Sequence, residues 1–202
     1  MKATDKRMRL PVNQPWLLPS KFLSELDVDP ETQLVFKFRF FHKLSMVPGE
    51  RLRNSLLFHQ AVTMYLSGYC FVNESDIIDM GALLAQMQWG DITPDGTSLN
   101  GPRVTVDFLE KNQELIVPRK SLTKKVAKKI ITAHSNLNGS TVEMLQMCFV
   151  RSWSSTESFG IEMVSGSDKL KPSVKALLGV SSEHVFFLAQ GMKKPIFEDL
   201  KQ

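Results

Sequence analysis

The densest group of side chains with evident chemistry is a basic cluster between residues 115 and 142. It contains no acidic residue and six basic ones, which are Arg119, Lys120, Lys124, Lys125, Lys128 and Lys129. The formal net charge of the whole chain is +4, so removing these six leaves the other residues at −2. The basicity is therefore local, and it indicates an anionic partner at one place on the protein.

The spacing of four lysines in this cluster predicts a charged stripe along a helix. These four, which we call the lysine stripe, stand at i, i+1, i+4 and i+5 and share about 100° of arc; they are Lys124, Lys125, Lys128 and Lys129. Ser121 is predicted to cap the helix, which runs to about His134. The opposite side is apolar and carries Leu122, Val126, Ile130 and Ala133. Arg119 and Lys120 precede the helix and are less direct members of the site.

Such a helix lays its apolar side on a core and offers its ammonium groups outward. Each lysine near an anionic leaflet contributes roughly 1 kcal/mol, so four contribute about 4 kcal/mol at most. Binding of that strength is weak and reversible, which suits a peripheral adaptor that needs a second contact. The alternative is a solvated basic face that has no partner.

Nucleic acid is the other polyanion that these lysines could contact. Recognition of bases uses aromatic or arginine side chains interleaved with the lysines. No such residue lies between Arg119 and His134. Nucleic-acid binding is therefore the less favoured alternative.

Residues that could support catalysis or bind a metal are not grouped in this sequence. The four histidines belong to different predicted elements and are His42, His59, His134 and His184. The sequence Ser182-Glu183-His184 has suggestive residue types, but neighbours on a strand face opposite ways and cannot form a triad alone. No paired-cysteine, His-Glu-x-x-His or Gly-rich phosphate motif occurs. We expect no enzyme activity, no metal site and no cofactor.

Composition is that of a soluble globular protein. Of 202 residues, 43% are hydrophobic and 23% are charged, which fits one large domain or two small ones. Cys70 and Cys148 lie in apolar runs and are interpreted as reduced core residues, which favours the cytosol. The first nine residues do not resemble a signal peptide, and no run approaches the length of a membrane span.

The first predicted element is a strand over residues 34–41. Successive side chains of a strand face opposite sides, so one side carries Leu34, Phe36, Phe38 and Phe40. A strand needs partners, and the 33 residues before it, which are irregular and rich in proline, offer none. We therefore expect that a sheet has been lost upstream, or that another chain pairs with this strand.

Two helices over residues 51–91 form the predicted scaffold, and they meet at a turn over residues 67–70. The first is apolar on most sides, so it is expected at the centre of the core. Gly68 is expected to end it, Asn73 or Ser75 to cap the second helix, and Gly90 to end the second.

Three further helices complete the predicted helical unit. One spans residues 106–114, one is the helix of the lysine stripe, and one is capped by Ser140 or Thr141. The apolar stripe of this last helix consists of Val142, Leu145, Cys148 or Phe149, and Trp153. After Ser154 the hydrophobic period changes to two, which predicts strands near residues 159–163, 174–180, 185–188 and 195–197, with a turn at Gly166.

Short sequences in this order resemble the FERM family, and within it the talin type most closely. The end of a ubiquitin-like first lobe is matched by Trp16-Leu17, Glu31-Thr32 and Phe40-Phe41. The helical second lobe is matched by Trp89-Gly90-Asp91, Phe108-Leu109-Glu110, Lys128-Lys129-Ile130 and Ala133-His134. The first strands of a third lobe are matched by Phe159-Gly160 and Leu177-Leu178-Gly179-Val180.

The resemblance implies an α+β fold with an all-α, acyl-CoA-binding-protein-like second lobe. The implied domains are a remnant of the ubiquitin-like lobe at 1–45, the helical lobe at 46–154 and a truncated PH/PTB-like lobe at 155–202. Under this resemblance we expect the third lobe to stop near its fourth strand, without the fifth strand and C-terminal helix that hold Asn-Pro-x-Tyr receptor tails in the family.

The function implied is that of a cytoplasmic, non-enzymatic adaptor in cell adhesion, which links membrane receptors to the actin cytoskeleton. In this hypothesis the lysine stripe, with Arg119 and Lys120, binds anionic phospholipids, including phosphoinositides, at the inner face of the plasma membrane. Expected protein partners are integrin-type receptor tails or other cytoskeletal proteins, and nucleic acid is not expected. The alternative is a partner-binding FERM module of a kindlin or unconventional myosin tail that does not bind lipid.

Overall fold

In the computed structural model of the chain, the described residues are 17, 20–26, 31, 37–38, 46–68, 72–98, 101–156, 159, 162–167, 175–180, 184–189 and 196–199. The α-helices are α1 (Arg51–Leu66), α2 (Glu74–Trp89), α3 (Val106–Lys111), α4 (Lys124–Ser135) and α5 (Val142–Ser154). Short 3₁₀ helices span Leu23–Leu26 and Gln113–Leu115. The strands are β1 (Glu162–Ser167), β2 (Lys175–Val180), β3 (His184–Ala189) and β4 (Ile196–Asp199).

The central helix of the core is α2. Seven consecutive residues, from Met80 to Gln86, are buried, and α2 packs against both α4 and α5. Seven residues make about two turns, so this part of α2 is covered on all sides. Gly81 permits the close approach to α4, because a Cβ at this position would lie 3.1 Å from Cδ1 of Ile130.

The prediction that α1 occupies the centre is wrong. The helix packs on α5 and buries Leu57, Phe58, Ala61 and Tyr65, but Leu52 is 75% exposed. Apolar residues occur on most sides of α1, whereas its buried side chains follow the side that α5 covers. Composition alone did not reveal which of the two scaffold helices would be covered on every side.

Helix ends follow local sequence signals closely. Asn73 caps α2 in a reciprocal pair with Asp76, in which each side chain accepts a hydrogen bond from the other residue's backbone N–H. Gly90 follows α2 with a φ of 70°. The predicted cap of α4 is wrong: Thr123, not Ser121, accepts the hydrogen bond from the backbone N–H of Val126.

Helix α5 is capped by Thr141, and it buries Leu145, Phe149 and Trp153 as predicted. Val142 belonged to the same predicted apolar stripe, yet it is 59% exposed because it begins the helix beyond the covered surface. The prediction that Cys148 is a core residue is also wrong. Its thiol is free and the residue is exposed, since the neighbouring Phe149 takes the buried position. Cys70 lies outside the described residues.

The four strands form one antiparallel sheet in the order β1-β2-β3-β4. The register pairs Val164 with Leu178 and Phe186 with Phe197. The predicted turn at Gly166 is wrong, because Gly166 lies within β1 and pairs with Ala176. Glycine is compatible with a strand, and the connection after β1 falls in residues 168–174, outside the described part.

The predicted strand over residues 34–41 also lies outside the described residues, apart from Lys37 and Phe38, which are in neither helix nor strand. The buried side chain of Gln60 on α1 contacts the backbone of Phe38 twice. Its Oε1 accepts from the Phe38 N–H at 2.8 Å, and its Nε2 donates to the Phe38 carbonyl at 2.8 Å. The Gln60 amide therefore bonds both backbone groups of one residue and ties Phe38 to α1.

Candidate functional site

The lysine stripe lies on α4, and all four of its side chains are exposed. The other side of the helix is anchored in the core by Val126, Ala127, Ile130 and His134, each at most 4% exposed. The buried residues recur at helical spacing, so the intervening lysines face away from the core. Anchoring by the core thus fixes the direction in which the stripe points.

One lysine of the stripe has an acidic partner that sequence reasoning missed. Lys129 Nζ lies 2.7 Å from Glu74 Oε1, at the start of α2. The hydrogen bond and charge of Lys129, together with the charge of Lys125, hold the pKa of the Glu74 carboxyl below its usual value. The carboxylate is 55 residues away in sequence, so only the packing of α2 against α4 brings it to the stripe.

The other three lysines of the stripe remain available. Within the described part of the chain, Lys124, Lys125 and Lys128 form no salt bridge. They occupy two consecutive turns at the beginning of α4. The surface that can meet an external anion therefore consists of three lysines, with the fourth already shared with Glu74.

Arg119 and Lys120 lie in the turn that leads into α4, not on the helix. Both are exposed, and the turn is closed by a 3.1 Å hydrogen bond from the Ser121 N–H to the Pro118 carbonyl. Lys120 has a φ of 69°, in the left-handed region. The positions of Arg119 and Lys120 are therefore set by this turn and not by α4, which carries the lysine stripe.

The histidines have surroundings that differ from one another. His134 is buried, and its Nε2 lies 2.8 Å from the carbonyl oxygen of Gly90, so this nitrogen carries the donated proton. Burial lowers the pKa of His134, against smaller opposing effects of that bond and of Asp91. His59 is exposed on α1, the side chain of His184 on β3 is not described, and His42 is outside the described residues.

Among the described residues, features of a metal site and of a membrane span are absent. No group of three or more His, Cys, Asp or Glu side chains there could hold a metal ion. No helix in that part of the chain combines the length and the hydrophobicity needed to cross a bilayer.

Comparison with protein families decides the classification of this helical unit. The FERM central domain matches residues 49–164, more than half of the chain. The chain belongs to the FERM family. This confirms the family resemblance of the sequence, and it accounts for the helical lobe that holds α1 to α5. FERM domains are protein-binding adaptor modules associated with the cytoskeleton, typically in the cytoplasm or at membranes.

A curated relative and several solved structures share this FERM character. FERM domain-containing protein A of Dictyostelium discoideum is 27% identical over 157 residues, which are 72% of this chain and 13% of that protein. The human Myosin 7b C-terminal MyTH4-FERM domain, solved in complex with the harmonin-a PDZ3 domain, aligns with a TM-score of 0.55. It is 19% identical, and the alignment covers 77% of this chain and 32% of the Myosin 7b chain.

A mutant of the Dictyostelium discoideum Myosin VII MyTH4-FERM MF1 domain gives a similar result. Its TM-score is 0.53 at 17% identity, over 82% of this chain and 32% of that one. Likeness at these identities establishes a shared FERM fold. The talin-type assignment, the domain boundaries at 1–45, 46–154 and 155–202, and the lipid-binding role of the basic residues stay predictions.

Proposed function

We propose that this chain is a partner-binding FERM adaptor of the type found in unconventional myosin tails, without enzymatic activity. The observation that carries this proposal is the FERM central-domain match, together with the fold shared with myosin MyTH4-FERM domains. The human Myosin 7b domain was solved in complex with a PDZ domain. By analogy, the helical lobe of this chain presents a fixed surface to a protein partner and connects it to the cytoskeleton.

The organisation of the helical lobe supports this role. Helix α2 is buried over two turns and packs against α4 and α5, so these three helices share one core. A rigid scaffold contributes to affinity because little conformational freedom is lost when a partner binds. The exposed sides of α4 and α5 are the surfaces that such a scaffold offers.

The adaptor function is tested by identifying direct partners. Proximity biotinylation with the chain as bait would supply candidates, which are then purified and titrated against the chain by calorimetry. We expect at least one receptor tail or cytoskeletal protein to bind directly, with a Kd on the order of micromolar. If every candidate fails to bind in purified form, the adaptor proposal is rejected.

Docking onto an anionic membrane is the second candidate function, and the three available lysines favour it. At roughly 1 kcal/mol each near an anionic leaflet, Lys124, Lys125 and Lys128 contribute about 3 kcal/mol, or on the order of 150-fold in affinity. This hypothesis retains the talin-type resemblance and a location at the inner face of the plasma membrane. In it, the membrane concentrates the adaptor near integrin-type receptor tails, while the protein partner supplies the second contact.

Co-sedimentation with phosphoinositide-containing liposomes tests the membrane function. The variant K124E/K125E/K128E is expected to lose binding, and wild-type binding is expected to weaken as salt rises. R119E/K120E changes charge in the neighbouring turn and serves as the control, with a smaller loss expected. Circular dichroism checks that each variant is folded. Equal binding by the triple variant and the wild type would exclude the stripe as the lipid site.

A further inference from the structure

The outer side of α5 carries large apolar side chains that the core does not cover. Met144 is 57% exposed and Met147 is 50% exposed. Cys148 is exposed next to them, and its thiol is free. The opposite side of the helix is held in the core by Leu145, Phe149, Val150 and Trp153. Adjacent exposed apolar side chains indicate a contact surface, and the flexible methionine side chain is well suited to one.

A charged residue stands at each end of this apolar patch. Glu143 precedes Met147 by four residues and Arg151 follows it by four, so the three form one row along the helix. Both charged residues are exposed, and neither forms a salt bridge within the described part of the chain. They are about 12 Å apart along the axis, which is too far for them to pair with each other. We call this surface the α5 face; it consists of Glu143, Met144, Met147, Cys148 and Arg151.

The order of charges on the α5 face makes it complementary to itself. If two copies of α5 lie antiparallel with Met147 at the two-fold axis, Glu143 of each copy is opposite Arg151 of the other. Rows of residues spaced four apart are the ridges that pack together in the commonest class of helix crossing. A two-fold dimer uses the same surface on both copies, and here that surface supplies an apolar centre and two ion pairs.

From this self-complementarity we propose that the α5 face binds a second copy of this chain, as an antiparallel helix pair centred on Met147. Burial of the methionine side chains stabilises the pair, and the two ion pairs set its direction and register. The proposal goes beyond the adaptor function, because the partner is the chain itself. A dimer of this kind would present two copies of every other surface of the helical lobe.

One helix from each copy makes a small interface. Its area lies near the lower limit for specific contacts, about 1,000 Å² in total, so we expect a Kd on the order of 100 µM. At micromolar concentrations the chain is therefore mainly a monomer. Dimers form where the chain is concentrated, for example by attachment to a common partner.

Sedimentation equilibrium of the full chain under reducing conditions tests the self-association, at concentrations from about 10 µM to about 1 mM. Glu143→Arg and Arg151→Glu each place like charges opposite one another in the dimer. Each variant alone should therefore associate at least about tenfold more weakly than the wild type. An equimolar mixture of the two variants should associate again, because one chain is then positive and the other negative at both ends of the α5 face.

Asp107→Arg is the matched control for these charge reversals. Asp107 is exposed in the first turn of α3, so this variant has the same net charge as Glu143→Arg but leaves the α5 face unchanged. It should associate like the wild type, and circular dichroism checks that all variants are folded.

Three outcomes of sedimentation would overturn the proposal. They are a wild type that stays monomeric at the highest concentration, equal weakening by Asp107→Arg, and a mixture that associates no better than either variant alone. Any of them would leave the α5 face to a different partner. Since no other protein is present, the result is independent of the adaptor function.

Cysteine cross-linking tests the register in a background that carries Cys70→Ser and Cys148→Ser. Met147→Cys places a thiol at the two-fold axis, so oxidation with copper–phenanthroline should join two chains by a disulfide. Met144→Cys is the control, because Met144 is similarly exposed. It is three residues from the axis, so its two copies lie about 9 Å apart along the helices, beyond the reach of a disulfide. Equal cross-linking at the two positions on non-reducing gels would reject the antiparallel pair.

Discussion

Lys129 Nζ is joined to Glu74 Oε1 at 2.7 Å, so the last lysine of the stripe is bound to the first residue of α2. If the stripe binds anionic membranes, Glu74→Gln should strengthen that binding, because Lys129 becomes free and a negative charge leaves the surface. We expect an increase of up to about fivefold in partitioning onto acidic liposomes, which corresponds to about one additional lysine.

Glu143→Gln is the matched control for this change. Glu143 is also exposed in the first turn of a helix, α5, so its substitution alters net charge and helix-end charge in the same way. A similar gain in both variants would assign the effect to net charge and not to the release of Lys129.

Gly96→Ala should destabilise the protein strongly. Gly96 has a φ of 83°, and a Cβ there would lie 2.2 Å from the carbonyl oxygen of Val104. Its own carbonyl accepts from the Val104 N–H at 2.7 Å, so the two segments cannot separate without losing that bond. We expect the free energy of unfolding in denaturant titrations to fall by more than about 2 kcal/mol.

Gly68→Ala separates the cost of the left-handed backbone from the cost of the clash with Val104. Gly68 has a φ of 74°, but a Cβ there meets nothing within 4 Å. This variant should show the cost of the left-handed backbone alone, on the order of 1 kcal/mol. Equal losses in both variants would mean that the contact with Val104 relaxes freely.

His134 should make stability depend on pH. Burial lowers its pKa in the folded protein below the ordinary 6.5, so the folded state disfavours the charged form. Its contribution to stability is therefore complete above about pH 6.5 and is lost as pH falls through the lower folded pKa. Chemical denaturation between pH 8 and pH 5 should show this decline.

His134→Gln tests the assignment, because a glutamine amide can donate to the Gly90 carbonyl but does not titrate in this range. The difference in unfolding free energy between wild type and variant should change below pH 6.5 and stay constant above it. A constant difference across the whole range would show that other groups cause the acid sensitivity.

Gln60→Leu should loosen Phe38 from α1. The substitution removes both 2.8 Å hydrogen bonds between the Gln60 amide and the Phe38 backbone. At about 1 kcal/mol for each bond, the free energy of unfolding should fall by about 2 kcal/mol. Hydrogen exchange at the Phe38 amide should accelerate. The amide of Met80, in the core of α2, should remain among the slowest-exchanging amides of the protein. Unchanged exchange at Phe38 would mean that other contacts hold it.

Local signals in the sequence predicted much of the helical lobe. Gly68, Asn73, Gly90 and Thr141 mark helix ends that the structure also has. Such signals act within a few residues, so a single sequence contains them. The family resemblance also depended on local signals, because it rested on short sequences in a fixed order.

Contacts between distant segments could not be predicted from the sequence. Neither the Glu74–Lys129 pair nor the bond between Asp91 and the Gly139 N–H can be derived from spacing, because each depends on how two helices and their connections pack. Exposure of Cys148 was missed for a related reason. Helical periodicity allows either Cys148 or its neighbour Phe149 to be buried. Only the packed structure shows that Phe149 is the buried residue.

The length of helix α2 also sets the distance between the surfaces at its two ends. Glu74 begins it beside the lysine stripe, and Gly90 follows its last residue at the opposite end. Sixteen residues at 1.5 Å each give a separation of about 24 Å between the two ends. Because the middle of α2 is enclosed by the core, this length cannot shorten by bending. Were the stripe to rest on a bilayer, α2 would act as a spacer, and a partner bound at its C-terminal end would be held at a constant height or lateral offset from the lipid headgroups.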